Sequence, residues 1–221
     1  MLWEFVDPTL AEFELQMPSL SDVAVVLAPV SDYRDTLLGV EQQALDEMSL
    51  SRQHAYSSGR HCAHRSQELL SLDVQPIGRT GRVPSWPAMC HGSITHSRAL
   101  AAAVVATGGI GVGIDLEAVG RVKPRLYDAL FTQYEQSTLN SYEFDAATIC
   151  FSAKEAGYKA IFPSTRKFIG FQEAEVYLQP EMRRFTLGYL GPDEQSQRLE
   201  DGWGCWSVHA GHVLTLFFLP K

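Results

Sequence analysis

The chain has 221 residues, of which 45% are hydrophobic and 20% are charged. This length and composition support a hydrophobic core in one large domain or two small ones, and they exclude a disordered chain. Acidic residues outnumber basic ones, 26 against 18, so the chain lacks the overall basic character that nucleic acids select. The four cysteines lie far apart without zinc-site spacing, which indicates reduced thiols.

The chain reads as a cytoplasmic protein. Acidic residues interrupt the N-terminal region, where a signal peptide would need a basic start and an unbroken apolar run. No stretch of the sequence approaches the apolar length of a membrane helix. We therefore expect no signal peptide and no transmembrane segment.

The predicted elements of the first half begin with an apolar strand at residues 22–30. A helix follows at residues 51–72, with Ser49 or Ser51 as its N-cap. Glycine and proline are frequent at residues 77–93, which predicts an irregular loop. A second apolar strand at residues 99–107 ends this half.

The second half repeats the alternation of strands and helices. Its first strand runs to Glu117, its longest helix spans residues 145–161 and ends before Pro163, and two shorter strands lie at 175–178 and 184–188. A C-terminal hairpin is joined at Ala210 and Gly211. The order of elements suggests a duplicated architecture, although the sequence shows no repeat.

Two acidic residues, Asp115 and Glu117, lie two apart at the end of the apolar strand GVGIDLE. Side chains at this spacing leave the same face of a strand. Paired carboxylates repel each other and are best tolerated around a hard cation such as Mg²⁺. A solvated strand end leading into a turn explains the same pattern.

The segment FSAKEAGYKA, residues 151–160, is predicted to be helical, with Lys154, Glu155 and Lys159 on its polar side. Glu155 and Lys159 lie four apart, and a surface ion pair explains that spacing without any function. In the functional interpretation, Glu155 is a third carboxylate for the metal and the two lysines hold phosphate oxygens.

Five further residues are candidates for binding an anionic ligand. Thr95 and His96 in GSITH place a hydroxyl beside an imidazole, although a histidine in a turn is commonly only a satisfied polar group. Arg52 and Arg60 are eight apart on one predicted helix, and with Arg79 on the loop they form a candidate cation cluster. A solvated helix face is the alternative.

Taken together, these motifs resemble the surfactin-type 4′-phosphopantetheinyl transferases, and most closely the branch of the enterobactin synthetase component D. The resemblance covers residues 50–172, in the order GRHCAHRSQELL, GRTGRVPSWPAMCHGSITH, GVGIDLE, FTQYEQSTL and FSAKEAGYKA. It implies transfer of the phosphopantetheine arm of coenzyme A to a serine of an apo carrier protein, with release of 3′,5′-adenosine bisphosphate.

The resemblance also implies roles for individual residues. Asp115, Glu117 and Glu155 would bind Mg²⁺, or Mn²⁺ in its place, and Glu155 and Lys159 would take part in catalysis. The remaining contacts would bind coenzyme A: Lys154, Lys159, His96 and Thr95 at its phosphates, and Arg52, Arg60 and Arg79 at its adenosine end. Whether Glu155 is the general base stays open, because one carboxylate cannot freely bind a metal and accept a proton at once.

The implied fold is α+β, with two similar subdomains related by a pseudo-twofold axis, at residues 1–107 and 108–221, and an active site in the cleft between them. The first subdomain would supply the coenzyme A contacts and the second the metal ligands. We expect a monomer. Gly157 departs from the family pattern, and we expect it to weaken the helix by about 1 kcal/mol relative to alanine and to loosen the wall facing the pantetheine arm.

Two other functions fit some of these observations. A metal-dependent hydrolase would cleave the pyrophosphate of coenzyme A with water, but the sequence lacks the additional acidic cluster expected for water activation. A non-catalytic module would bind coenzyme A or a carrier protein and would be expected to have lost a metal carboxylate, whereas all three are present. The sequence does not identify the carrier protein or its pathway.

Overall fold

The computed structural model of the chain describes residues 1–7, 10, 20–81, 83–109 and 111–220. They form two units, one of the described residues up to Gly109 and the other of those from Gly111 onward. Helices and strands occur in both units, which confirms the predicted α+β class. No helix among the described residues has the length and apolar character needed to cross a bilayer.

The first unit contains a sheet of four strands within its described residues, in the order β1-β2-β6-β5. Strands β1 and β2 pair in parallel, and the other neighbours are antiparallel. The central strands β2 and β6 are continuous runs of small and β-branched residues and are buried almost throughout. Such runs favour strands that are covered on both faces. The strands span Leu2–Phe5 (β1), Val23–Pro29 (β2), His91–His96 (β5) and Leu100–Ala106 (β6).

Two helices accompany this sheet. Helix α1 is a single turn, Val40–Gln43, and helix α2 spans Leu50–Leu69 with Ser49 at its N-cap position. Helix α2 packs its small residues on one face of the β2–β6 pair. The predicted helix at residues 51–72 is therefore confirmed.

The predicted irregular loop at residues 77–93 is wrong in part. Strands β3, Gly78–Thr80, and β4, Val83–Ser85, pair antiparallel as a short hairpin, and strand β5 begins at His91. Gly81 adopts φ +62° at the turn, a conformation that favours glycine. Pro84 is tolerated because its strand belongs to a two-stranded ribbon.

The second unit is built on a sheet with the order β7-β11-β10-β9-β8 among its described residues. All of its paired neighbours are antiparallel. The predicted C-terminal hairpin is confirmed, and Ala210 and Gly211 both have positive φ at its turn. The strands span Gly111–Ala118 (β7), Ala174–Gln179 (β8), Arg184–Tyr189 (β9), Trp203–His209 (β10) and His212–Leu219 (β11).

Helix α5, Ala146–Thr165, packs along β7 and β11. Asp145 caps it by accepting a hydrogen bond from the Thr148 backbone N–H at 3.1 Å. Two short helices precede it, α3, Tyr127–Leu130, and α4, Gln133–Leu139. The prediction that helix α5 ends before Pro163 is wrong, because it continues to Thr165 and ends at Arg166, which has φ +55°. Pro163 cannot donate the helical hydrogen bond to the Lys159 carbonyl oxygen, and the helix continues past it to Thr165.

Gly113 lets helix α5 approach strand β7 very closely. A Cβ atom at this position would lie 1.8 Å from the Ala156 carbonyl oxygen, far inside van der Waals contact. The glycine therefore fixes the distance between the strand and helix that carry the predicted acidic residues.

Replacing Gly113 with alanine is expected to lower the free energy of unfolding by about 3 kcal/mol, because backbone atoms must move apart. Urea denaturation measures this effect. Gly78→Ala is the matched control, since its Cβ would lie no closer than 3.6 Å to a neighbour, and it should change stability by less than about 1 kcal/mol. Equal effects of the two variants would contradict this account.

Candidate active site

Asp115 and Glu117 lie on strand β7 with their side chains on the face that packs against helix α5. Asp115 is only 4% exposed, whereas Glu117 is partly exposed and lies 3.6 Å from the Arg121 Nε atom. The alternating pattern of the strand places Ile114 and Leu116 on the opposite face, where both are buried. The predicted common face of the two carboxylates is therefore present.

Helix α5 presents residues to Asp115 at helical spacing. Ser152 donates from Oγ to Asp115 Oδ2 at 2.8 Å, and Lys159 donates from Nζ to Asp115 Oδ1 at 2.6 Å and to the Ile114 carbonyl oxygen at 3.1 Å. Residues seven apart on a helix share a face, so one helix holds both carboxylate oxygens. Lys159 therefore pairs with Asp115, and the surface pair with Glu155 considered from the spacing is replaced by this contact.

The three predicted metal carboxylates lie within electrostatic reach of one another. Burial and the charges of Asp115 and Glu155 raise the pKa of Glu117 to about 7, against the opposing charges of Arg121 and Lys159. Burial raises the pKa of Glu155 as well, with Lys159 opposing and Asp115 adding to the rise. Mutual repulsion of this kind indicates an acidic site that would gain from a bound cation.

The donor set fits a hard divalent cation in its chemistry, since carboxylate oxygens are the ligands that Mg²⁺ prefers. As the side chains stand, no group of three or more histidine, cysteine or acidic residues in the described part of the chain is arranged to hold a metal ion. The residues that would hold the ion are thus gathered in one neighbourhood but are not in coordinating positions.

Lys154 was predicted to contact phosphate, but in the structure its ammonium is buried and bonded to protein groups. Its side chain is 2% exposed, and its ammonium donates to Glu135 Oε2 at 2.7 Å and to the carbonyl oxygens of Leu130 and Phe171 at 2.9 and 2.7 Å. An ammonium has three protons, and these contacts use all of them. The helix periodicity showed a polar residue at this position but not that α4 would cover it.

A small pocket is lined in part by Glu155. Its lining includes the aromatic rings of Tyr158 and Phe168, and Phe168 is 76% exposed. The expectation that Gly157 loosens a wall of the pantetheine site is wrong, because a Cβ at Gly157 would point at Leu187 Cδ1, 2.2 Å away in the core. Glycine is needed at this position for the packing of helix α5 against strand β9.

The remaining predicted site residues lie in the first unit. Thr95 is buried on strand β5, and His96 is exposed at the end of that strand. Arg79 is exposed on the β3–β4 hairpin, where its Nε donates to the Gly81 carbonyl oxygen.

The two helical arginines differ in their surroundings. Arg52 is exposed, whereas Arg60 is 6% exposed, lies over the Tyr56 ring and has its Nε 3.7 Å from Glu41 Oε1. Glu41 also accepts a hydrogen bond from the Ile77 backbone N–H at 2.7 Å. Arg60 thus belongs to a buried cluster beside the loop that leads to Arg79, and the alternative of a solvated helix face does not hold for Arg60.

Comparison with known proteins decides the family. A family model described as the 4′-phosphopantetheinyl transferase N-terminal domain matches residues 40–106, and one described as the 4′-phosphopantetheinyl transferase superfamily matches residues 111–215. The transferase Svp of Streptomyces mobaraensis is 31% identical over 175 residues, which cover 74% of this chain and 71% of Svp. The chain belongs to the 4′-phosphopantetheinyl transferase superfamily.

Other members of the superfamily are similar to the chain over different lengths. The transferase PptT of Mycobacterium tuberculosis is 31% identical over 183 residues, covering 76% of this chain and 79% of PptT. Enterobactin synthase component D of Escherichia coli is 39% identical over 90 residues, covering 39% of this chain and 43% of that protein. The predicted family and the predicted class of enzyme, a phosphopantetheinyl transferase, are confirmed.

Several residues of this phosphopantetheinyl transferase were not assigned a role from its sequence. Ser152, Glu135 and Gly113 lie inside recognised motifs, but their roles depend on partners from other elements. Thr215 is a polar residue in the apolar strand HVLTLFFL, and that interruption was a signal of a buried polar contact. It pairs across the sheet with Asp115.

The raised pKa of Glu117 predicts a pH-dependent stability in the absence of divalent cations. The folded-state pKa of this carboxyl group lies above its ordinary value of 4.5. Its contribution to stability is therefore fully present below pH 4.5 and is lost as the pH rises to about 7. Glu117→Gln should therefore raise the free energy of unfolding by about 1 to 2 kcal/mol at pH 8 and by little at pH 4.5.

Chemical denaturation with a chelator at both pH values measures this difference. The exposed Glu47→Gln is the control and should show no such trend. A Glu117→Gln protein that is less stable than the parent at pH 8 would contradict the predicted repulsion.

Proposed function

We propose that this chain transfers the 4′-phosphopantetheine group of coenzyme A to a serine hydroxyl of an apo carrier protein and releases 3′,5′-adenosine bisphosphate. The observation that supports the proposal most strongly is the acidic site of the second unit. There Asp115, Glu117 and Glu155 act on one another electrostatically beside Lys159.

We assign Asp115, Glu117 and Glu155 to a site for Mg²⁺, with Mn²⁺ as the alternative ion. When bound, the ion would neutralise charge on the diphosphate of coenzyme A and so favour the departure of the bisphosphate. The carboxylates would hold it from two elements, strand β7 and helix α5. The close approach at Gly113 supports this assignment, because it fixes the two elements against each other.

Glu155 and Lys159 are the proposed catalytic residues. In the reaction the serine oxygen bonds to the β-phosphorus, the bond from that phosphorus to the bridging oxygen breaks, and the serine proton passes to a base. The raised pKa of Glu155, caused mainly by burial, makes it a stronger base than an exposed carboxylate. Binding a cation would weaken that basicity, so the two roles of Glu155 compete.

Lys159 is proposed to contact the phosphate. Its side chain is 27% exposed, so its ammonium can turn from Asp115 toward an anion without crossing the core. Lys154 is instead proposed as a positioning residue, because its three protons already join helix α5 to its neighbours.

In the first unit, Arg52, Arg79 and His96 are proposed coenzyme A contacts, supported by their exposure and by the positive charge of the arginines. Thr95 is proposed to assist with its hydroxyl. Arg60 is proposed to act at the same ligand, with Glu41 fixing the position of its guanidinium. An acidic carrier protein is the proposed partner, and a monomer is the proposed form of the enzyme.

The test is incubation of the purified protein with coenzyme A, Mg²⁺ and a panel of apo carrier proteins from fatty-acid, polyketide and nonribosomal-peptide systems. Intact mass spectrometry should show at least one carrier gaining a single phosphopantetheine group. Release of the bisphosphate without a modified carrier would identify a hydrolase. The absence of both reactions would overturn the proposal.

A further inference from the structure

Asp115 is held on one side by a buried hydroxyl. Ser152 Oγ donates to Asp115 Oδ2 at 2.8 Å, and Ser152 is fully buried. The other carboxylate oxygen, Oδ1, lies 2.6 Å from the Lys159 ammonium, which is partly exposed. The two oxygens of one carboxylate therefore have different partners, a fully buried hydroxyl and a partly exposed ammonium.

A second hydroxyl supports the first. Thr215 lies directly across the sheet from Asp115 and is fully buried. Its Oγ1 is 2.8 Å from Ser152 Oγ and donates to the Ser152 carbonyl oxygen at 3.0 Å. Strands β7 and β11 and helix α5 thus each contribute one group to a buried chain of hydrogen bonds.

The protons of this chain have a defined direction. Each hydroxyl carries one proton, and an ionised carboxylate only accepts. Ser152 gives its proton to Asp115, so the hydrogen bond between the two hydroxyls takes its proton from Thr215, which shares it with the Ser152 carbonyl oxygen. The proton donors therefore point toward Asp115, and an apolar side chain at either position would remove that support.

We propose that Ser152, supported by Thr215, is a positioning residue that fixes the Asp115 carboxylate with Oδ1 directed to the divalent cation. The inference rests on the proposed metal site. Groups that orient a metal-binding carboxylate from behind commonly change metal affinity by 10- to 100-fold when they are removed. Ser152 touches neither coenzyme A nor the carrier serine in this proposal, so its effect acts through Asp115.

The test compares Ser152→Ala with the unmodified protein by titrating Mn²⁺ in the presence of coenzyme A and recording free Mn²⁺ by electron paramagnetic resonance. We expect the Mn²⁺ dissociation constant to rise about 10- to 100-fold, and the KM for coenzyme A at saturating Mn²⁺ to stay within about twofold. Thr215→Val, which preserves volume, should shift the same constant in the same direction by a smaller factor.

Ser164→Ala is the matched control, because Ser164 lies on the same helix and donates to the Ile161 carbonyl oxygen without reaching Asp115. It should leave the Mn²⁺ constant unchanged. Mn²⁺ affinity within twofold of the parent in Ser152→Ala would overturn the inference, and if that variant does not fold, the same result in Thr215→Val would overturn it. An unmodified protein that binds no Mn²⁺ would also overturn it.

The outcomes separate this inference from the proposed function. Carrier modification by the parent protein, together with parent-like Mn²⁺ binding in Ser152→Ala, would remove the positioning role and leave the transferase. Weakened Mn²⁺ binding in Ser152→Ala, without any carrier modification by the parent, would support the positioning role and remove the transferase.

Discussion

Asp115→Asn is expected to lower the transfer rate by at least about 100-fold while the protein remains folded. Asp115 bonds to both Ser152 and Lys159, and its charge reaches Glu117 and Glu155. Asparagine has the same shape and keeps an oxygen for Lys159, so the packing of helix α5 should survive. The substitution removes a negative charge that would bind the proposed cation.

Two measurements check this prediction. Carrier modification followed by mass spectrometry gives the rate, and circular dichroism with thermal unfolding shows whether the fold is retained. Asp128→Asn, an exposed aspartate in helix α3, is the control and should transfer at the parent rate. Activity of Asp115→Asn within about tenfold of the parent would remove Asp115 from the metal site.

Glu135→Gln is expected to lower the free energy of unfolding by about 3 to 5 kcal/mol, because it leaves the buried Lys154 ammonium without its counter-charge. The pair is almost fully buried, at 2% and 1% side-chain exposure. Burial lowers the pKa of Lys154 and raises that of Glu135, and in each residue the partner's charge opposes the effect of burial. Each buried charge is therefore destabilising unless its partner is present.

A double-mutant cycle with Lys154→Met measures the coupling between the two side chains. The double variant should be more stable than the sum of the two single effects predicts, since it removes both buried charges. Urea denaturation of the four proteins gives the coupling energy. Additive effects would contradict the pairing.

The same cycle separates a positioning role of Lys154 from the phosphate contact predicted from the sequence. For Lys154→Met we expect stability to fall and the KM for coenzyme A to stay close to the parent value. A large rise in KM for coenzyme A with unchanged stability would support the predicted contact between Lys154 and phosphate.

Local features of the sequence were sufficient for most elements of the fold. The apolar runs at β2 and β6 and the turn at Gly211 predicted strands and a hairpin, because their signals lie within a few residues. Pro163 was misleading, since helix α5 continues through it to Thr165. The β3–β4 hairpin was missed because its strands have three residues each, too short for a periodic pattern.

In the candidate site, too, the features set by local sequence were predicted and those set by distant residues were not. The strand alternation that places Asp115 and Glu117 together is local and was predicted. The burial of Lys154 depends on Glu135, and the support of Asp115 depends on Thr215, 100 positions along the chain. Periodicity identifies the face on which a residue lies, but it does not identify the element that packs against that face. The pseudo-twofold relation and the cleft between the halves remain predictions from the family resemblance.

A crystal structure of the protein with coenzyme A and Mn²⁺ tests the metal site most directly, because Mn²⁺ is located by its anomalous scattering. The account predicts one strong anomalous peak beside the diphosphate, with carboxylate oxygens of Asp115, Glu117 and Glu155 at about 2.0 to 2.3 Å. A peak bound elsewhere, or coenzyme A bound with these oxygens more than about 4 Å from any metal ion, would contradict it.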